Sequence, residues 1–159
     1  MLKTEITAEP GSTLVTITRD FDAPRDLVFR AYTEPGLLEQ WLGPRGLTTV
    51  VERYEVRDGG KWRFVQTDSD DGTYAFHGVF HGDPAPEAIV QTFEFEGVPG
   101  HVKLDTVTLT EHDGKTRVRT VAAFTCVEDR DAMIAAGMEW GVREGDERLA
   151  ELLAKLQVG

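Results

Sequence analysis

The chain has 159 residues, 40% of them hydrophobic, and carries 28 acidic against 17 basic side chains for a formal net charge of −11. That length and composition suit a single globular domain over residues 1–159 with a core and room for a modest cavity, while so acidic a surface repels nucleic acid and anionic membrane. The lone cysteine, Cys126, excludes an intrachain disulfide, a zinc knuckle and a dithiol pair, and no stretch is apolar enough to cross a bilayer, so a cytoplasmic location is expected.

Ser12 to Phe21 alternates in period two, with Val15, Ile17 and Phe21 on one side, and predicts a half-buried strand. Asp22-Ala23-Pro24 ends it, with Asp22 placed to cap a helix whose apolar stripe is Leu27, Val28 and Ala31, flanked by Phe29 and Tyr32. Pro35-Gly36 breaks that helix, and a second short one, Leu37 to Leu42, carries Trp41 and stops at Gly43-Pro44. From Leu47 the period returns to two. Leu47 to Val56, Gly60 to Thr67, Thr73 to His81, Ala88 to Glu96, Val102 to Thr110 and Thr116 to Thr125 read as six strands, separated by turn residues such as Asp58-Gly59-Gly60 and Asp113-Gly114. Connections this short make the neighbours antiparallel.

Asp129 to Lys155 reads as one long helix, in which Gly137, Gly141 and Gly145 recur every four residues and so share a face. Each glycine inside a helix costs about 1 kcal/mol relative to alanine, so the stripe predicts a close approach, most simply of the helix to the sheet. Trp140 and Met138 then border that contact, and Trp140 is expected to be buried. The sum is an α+β chain with a seven-stranded antiparallel sheet wrapped around a C-terminal helix and two short helices after the first strand.

The run from Ile17 to Ala31, with Asp20-Phe21-Asp22-Ala23-Pro24 at its centre, resembles the opening signature of the START/SRPBCC superfamily, in the branch similar to the activator of heat-shock-protein-90 ATPase. Trp41-Leu42-Gly43-Pro44, Gly59-Gly60-Lys61-Trp62-Arg63-Phe64, Phe76-His77-Gly78-Val79-Phe80 and Gly137-Met138-Glu139 are similar too. The resemblance implies the helix-grip fold, a curved sheet around the last helix with a cavity between them, and needs no metal. It departs where relatives have two adjacent tryptophans and this chain has Trp41-Leu42, and where Arg57-Asp58-Gly59-Gly60 replaces their Arg-Pro-Gly-Gly.

Catalytic chemistry has few candidates. His77 and His81 share a strand face but lie about 13 Å apart at about 3.3 Å per residue, too far to hold one ion. Ser12, Ser69 and Cys126 have no nucleophile setting, and Gly141 to Gly145 lies in a helix whose amides are already bonded, so no nucleotide loop is present. Glu52, in phase with Val50, Tyr54 and Val56, and Glu144, beside the glycine stripe, are the carboxylates that could point inward. No catalytic residue, metal or cofactor is assigned. The remaining feature is an aromatic sheet face. Trp41, Tyr54, Trp62, Phe64, Tyr74, Phe76, Gln91, Phe93, Met138 and Trp140 are the expected cavity lining for a small apolar or amphipathic ligand. The resemblance also implies two other functions, a co-chaperone-like partner of an Hsp90 ATPase and a cyclase or dehydratase with an acid inside the cavity. A monomer or a homodimer is expected.

Overall fold

A computed structural model describes residues 3–158. Its eight strands form one open antiparallel sheet in the order β1-β2-β8-β7-β6-β5-β4-β3. They are β1 (Glu5–Thr7), β2 (Leu14–Phe21), β3 (Thr48–Tyr54), β4 (Lys61–Thr67), β5 (Thr73–Val79), β6 (Ile89–Phe95), β7 (Val102–His112) and β8 (Lys115–Ala123). The strand beyond the expected seven is β1. It holds one apolar residue, Ile6, which gives no periodicity to read, and it exists because Glu5 to Thr7 pair with Thr16 to Thr18.

After β2 come helices α1 (Arg25–Thr33) and α2 (Pro35–Leu38); after β8 come α3 (Val127–Ala135) and α4 (Met138–Val158). Helix α1 is capped differently from expectation: its N-cap is Pro24, which lacks a capping side chain, and the free N–H of Arg25 donates instead to Glu111 on β7 at 2.6 Å. A carboxylate at a helix N-terminus also meets the positive end of its dipole. Helix α2 begins two residues earlier than the pattern suggested, at Pro35, and leaves Trp41 in the turn that follows.

One face of the sheet is covered. Phe21, Trp62, Phe64, Phe80, Ile89, Val107, Leu109 and Val118 from the strands pack with Val28 and Ala31 of α1, Leu38, Trp41, and Leu149, Leu152 and Leu153 of α4. A smaller cluster, Val15, Ala122 and Phe124, lies under Met133, Ile134 and Met138. The expected long helix is two helices. Gly137 has φ +98°, and its N–H closes onto Ile134 O at 3.1 Å, the left-handed helix stop that glycine allows without a Cβ penalty. Gly137 therefore ends α3 and contributes nothing to a stripe.

Gly141 and Gly145 do admit a close neighbour, but it is a loop and not the sheet. A Cβ on Gly145 would lie 3.4 Å from Gly43 N and 3.5 Å from Trp41 O, and one on Gly141 would lie 3.7 Å from Pro44. The loop is fastened there by Arg148, whose guanidinium donates to the carbonyls of Gly43 at 3.1 Å and Gln40 at 3.0 Å. Glu144 accepts the N–H of Arg45 at 3.0 Å and is not an interior acid. Glu52 also faces away: a bulge between Val51 and Arg53 breaks the alternation of β3, so Val51 and Tyr54 pack on the core and Glu52 pairs with Arg63.

Gly78 is the closest approach within the sheet. A Cβ there would sit 1.9 Å from Thr92 O and 2.6 Å from the Trp62 ring. Thr92 O is backbone and Trp62 is fully packed, so neither can yield. Gly78→Ala is expected to destabilise the fold by about 3 kcal/mol, the upper part of the usual overpacking range, measured as a shift of the urea midpoint at constant slope.

Candidate functional site

The aromatic residues of the covered face meet on β4, β5 and β6. Trp62 and Phe64 stack at 5.4 Å with their planes 13° apart. Phe93 lies 5.6 Å from Trp62 and 5.3 Å from Phe76, and Phe76 lies 5.1 Å from both Phe64 and Phe95. Trp62 and Phe64 are buried; Phe76, Phe93 and Phe95 are half-buried and form the accessible rim. Tyr54 joins from β3 through an edge contact with Phe80 at 5.5 Å.

Register explains the grouping. The pairs Tyr54–Trp62, Trp62–Gly78 and Phe93–Lys103 are directly opposed, and the neighbouring His77–Glu94 pair carries the row from Gly78 to Phe93. One row therefore reads Tyr54, Trp62, Gly78, Phe93, Lys103 across five strands. At its far end the Lys103 ammonium sits 4.3 Å over the Phe93 ring and holds both carboxylate oxygens of Asp105 at 2.8 Å. Gln91, half-buried, is opposite Asp105.

Most polar atoms here are committed. The Tyr54 hydroxyl donates to Tyr32 O at 2.6 Å, Trp41 Nε1 to Ala31 O at 2.9 Å, and Gln66 Nε2 approaches Thr49 Oγ1 at 3.3 Å. Among the described residues the indole N–H of Trp62 has no partner, although the side chain is only 2% exposed. An unmet buried donor is unusual enough to require a physical account.

Of the ten residues expected to line a cavity, the structure thus gathers Tyr54, Trp62, Phe64, Phe76 and Phe93, with Gln91 at their border. Trp41 is buried elsewhere, 4.9 Å from Tyr32. Tyr74 is 39% exposed at the end of its strand, its hydroxyl donating to Asp68 at 2.8 Å. Met138 belongs to the cluster under α3. Trp140 is 57% exposed, against the expectation of burial. It stands nine residues, two and a half helical turns, before the buried Leu149, and so on the opposite side of α4. Trp140→Ala should accordingly change stability by no more than about 0.5 kcal/mol, the range for surface truncations, in the same urea titration.

A second polar group lies under α4. Asp146 is 8% exposed and accepts the Thr4 hydroxyl at 2.7 Å. Burial pushes its carboxyl up to about 6, against the opposing pull of the Thr4 bond and of the Arg19 and Arg143 charges; the Glu147 charge adds to the rise. Arg19 is itself buried, stacked 5.0 Å over Phe21 and bonded to Glu147 at 3.1 Å. Both were in phase with buried neighbours in the sequence: Arg19 with Val15 and Phe21, Asp146 with Leu149 and Leu153. Lys103 and Asp105, likewise, alternate with Val107 and Leu109. Two surface hollows flank α4 on this side, one of about 240 Å³ beside Thr4, Arg45, Arg143 and Glu147, the other of about 350 Å³ over Phe21, Ala150 and Leu153. Neither lies over the aromatic cluster. Among the described residues, no group of three His, Cys, Asp or Glu side chains could hold a metal ion, and no helix is long and apolar enough to cross a membrane.

The raised Asp146 value fixes a pH dependence. Its folded value of about 6 exceeds the ordinary 3.8, so the stability it contributes is fully present below pH 3.8 and is lost as pH rises through 6. The difference corresponds to about 3 kcal/mol. Asp146→Asn, which stays neutral, should be more stable than the parent at pH 8 by about 2–3 kcal/mol and should flatten the stability profile between pH 4 and 7, as read by urea unfolding at each pH.

A family described as "Activator of Hsp90 ATPase homolog 1-like protein" matches residues 22–155. The fold resembles that of a Rhodobacter sphaeroides protein, 27% identical over 96% of this chain and 99% of that one with a TM-score of 0.87. An Arthrobacter aurescens protein is 26% identical over 95% and 91% with a TM-score of 0.88. A Mycobacterium smegmatis protein is 25% identical over 94% and 96% with a TM-score of 0.86. No curated protein matches the sequence.

Proposed function

The chain belongs to the Activator of Hsp90 ATPase homolog 1-like family, and from that premise we propose that it binds a small apolar or amphipathic molecule on the aromatic strip of its covered sheet face. The observation that carries this is the rim of Phe76, Phe93 and Phe95, half-buried on the inner side of the sheet and continuous with the buried Trp62–Phe64 stack. Rings left partly in water on a face whose other members are covered offer area that a ligand can take from solvent. A ring buried from full exposure adds on the order of 1.5–3 kcal/mol, and these half-buried rings add less, so the ligand's own apolar area has to supply much of the affinity. Lys103, over Phe93, sets a polar limit to the strip.

The reading is tested by titrating the full chain with an uncharged fluorescent probe such as N-phenyl-1-naphthylamine and competing it with flat hydrocarbons. Saturable binding that weakens about tenfold in Phe93→Ala, with the fold intact by circular dichroism, is the expected result. Binding unaffected by Phe93→Ala would place the probe elsewhere and remove the proposal. The family description carries a second reading, stimulation of an Hsp90-type ATPase. Purified chaperone whose ATP turnover is unchanged at saturating concentrations of this protein would dispose of it.

A further inference from the structure

We infer that the molecule held on the aromatic strip is uncharged and flat, and carries one hydrogen-bond acceptor, a carbonyl oxygen, that takes the indole N–H of Trp62. The inference rests on the binding reading above and adds the chemistry of its ligand. Three observations combine. First, Trp62 Nε1 is enclosed and, among the described residues, unpartnered, whereas the Tyr54 hydroxyl is committed to Tyr32 O and Lys103 to both oxygens of Asp105. The half-buried Gln91 amide at the border can donate or accept, but the indole is a buried donor with capacity to spare, and an indole only donates. The ligand atom that matches it must be an acceptor.

Second, the charge on the strip is already balanced. Lys103 and Asp105 form a close pair with side chains only 14% and 11% exposed, so a carboxylate ligand would meet Asp105 without an uncommitted cation to offset it, and an ammonium ligand would meet Lys103. A neutral molecule incurs neither repulsion nor the desolvation of a bare charge. Third, the indole is fixed in place. Its edge lies against Gly78, where a Cβ would come within 2.7 Å of the ring atom bonded to Nε1, and Phe64 stacks on it almost in parallel. The donor is pre-oriented, and stacked rings at this spacing favour a planar partner. Of the rim rings, Phe93 is the one in ring contact with Trp62, half-buried with its centre 5.6 Å from that of the indole.

Fluorenone and fluorene form a matched pair for the test, both flat, uncharged and tricyclic, differing in one carbonyl oxygen. Binding of each to the full chain is measured by quenching, and the Trp62 Nε1–Hε1 resonance is followed by NMR, assigned by its absence in Trp62→Phe. The indole of Trp41, already bonded, and that of Trp140, in solvent, serve as internal references. The expected result is tighter binding of fluorenone by about three- to tenfold, the worth of one neutral hydrogen bond, a downfield shift of the Trp62 proton with fluorenone alone, and loss of the preference in Trp62→Phe. Equal binding of both compounds with an unmoved Trp62 resonance overturns this inference and leaves the binding reading standing. Failure of both compounds to bind overturns the two together. Should Trp62→Phe fail to fold, the resonance is assigned in the parent protein by its through-space contacts to the Phe64 and Phe93 rings and decides alone.

Discussion

One long helix has to cover the inner face of a much wider sheet, and the rest of the molecule is arranged around that mismatch. Eight strands at about 4.8 Å spacing make a face roughly 34 Å across, while a helix with its side chains is only about 10 Å in diameter. The Leu149, Leu152 and Leu153 stripe of α4 seals one band. Helices α1 and α2 seal another, and α3 with the start of α4 covers Val15, Ala122 and Phe124. What remains, at Phe76 on β5 and Phe93 and Phe95 on β6, is covered by aromatic rings lying on one another. The aromatic strip is therefore the part of the face for which no helix is left, which is why its outer rings stay half in water.

Much of this could be read from the residues because period-two alternation and turn chemistry are local signals. Strands β2 to β8, the paired short helices and the grouping of Trp62, Phe64, Phe76 and Phe93 followed from them. What could not be read was non-local. The three residues of β1 acquire their conformation from β2 alone. The bulge at Glu52 reverses the facing of a strand without any glycine or proline to mark it. Gly137, Gly141 and Gly145 look alike at a spacing of four, yet the first takes a left-handed backbone and the other two meet a loop; only the tertiary contact separates these roles. Trp140 followed from the same assumption, that one unbroken helix carries one phase from end to end. The charged residues inside were overlooked for a different reason. Arg19, Asp105 and Asp146 sit in phase with apolar neighbours, and the ordinary rule that charges face water outweighed the periodicity that placed them within.

Those interior charges lie between the two apolar clusters. Arg19 and Asp146 occupy the boundary on the α4 side, and Lys103 with Asp105 the boundary beside Phe93. A buried ion pair is weak evidence of stability, since desolvation offsets much of its attraction, and a carboxyl displaced to about 6 costs the fold at neutral pH. The apolar interior is consequently split into compartments by groups that cannot be moved deeper without loss. In such a layout the aromatic strip lies wholly to one side of the Lys103–Asp105 pair.

The Arg148 fastening fixes which positions of the Gln40–Arg45 loop are sensitive to change. Arg148 meets the loop through the carbonyl oxygens of Gln40, Leu42, Gly43 and Pro44, and Glu144 holds it through the N–H of Arg45, all atoms that every residue type supplies or nearly so. Helix and loop thus recognise each other largely through the loop's backbone, with the Arg45–Glu151 ion pair as a side-chain contact between them. The Gln40 side chain turns back onto its own turn, donating to Gly36 O at 3.0 Å, and Pro44 is buried against Gly141, whereas Gly43, with φ +90°, Gly145 and Arg148 become one unit that can change only together. A graft of α4 into another sheet would have to carry that loop with it.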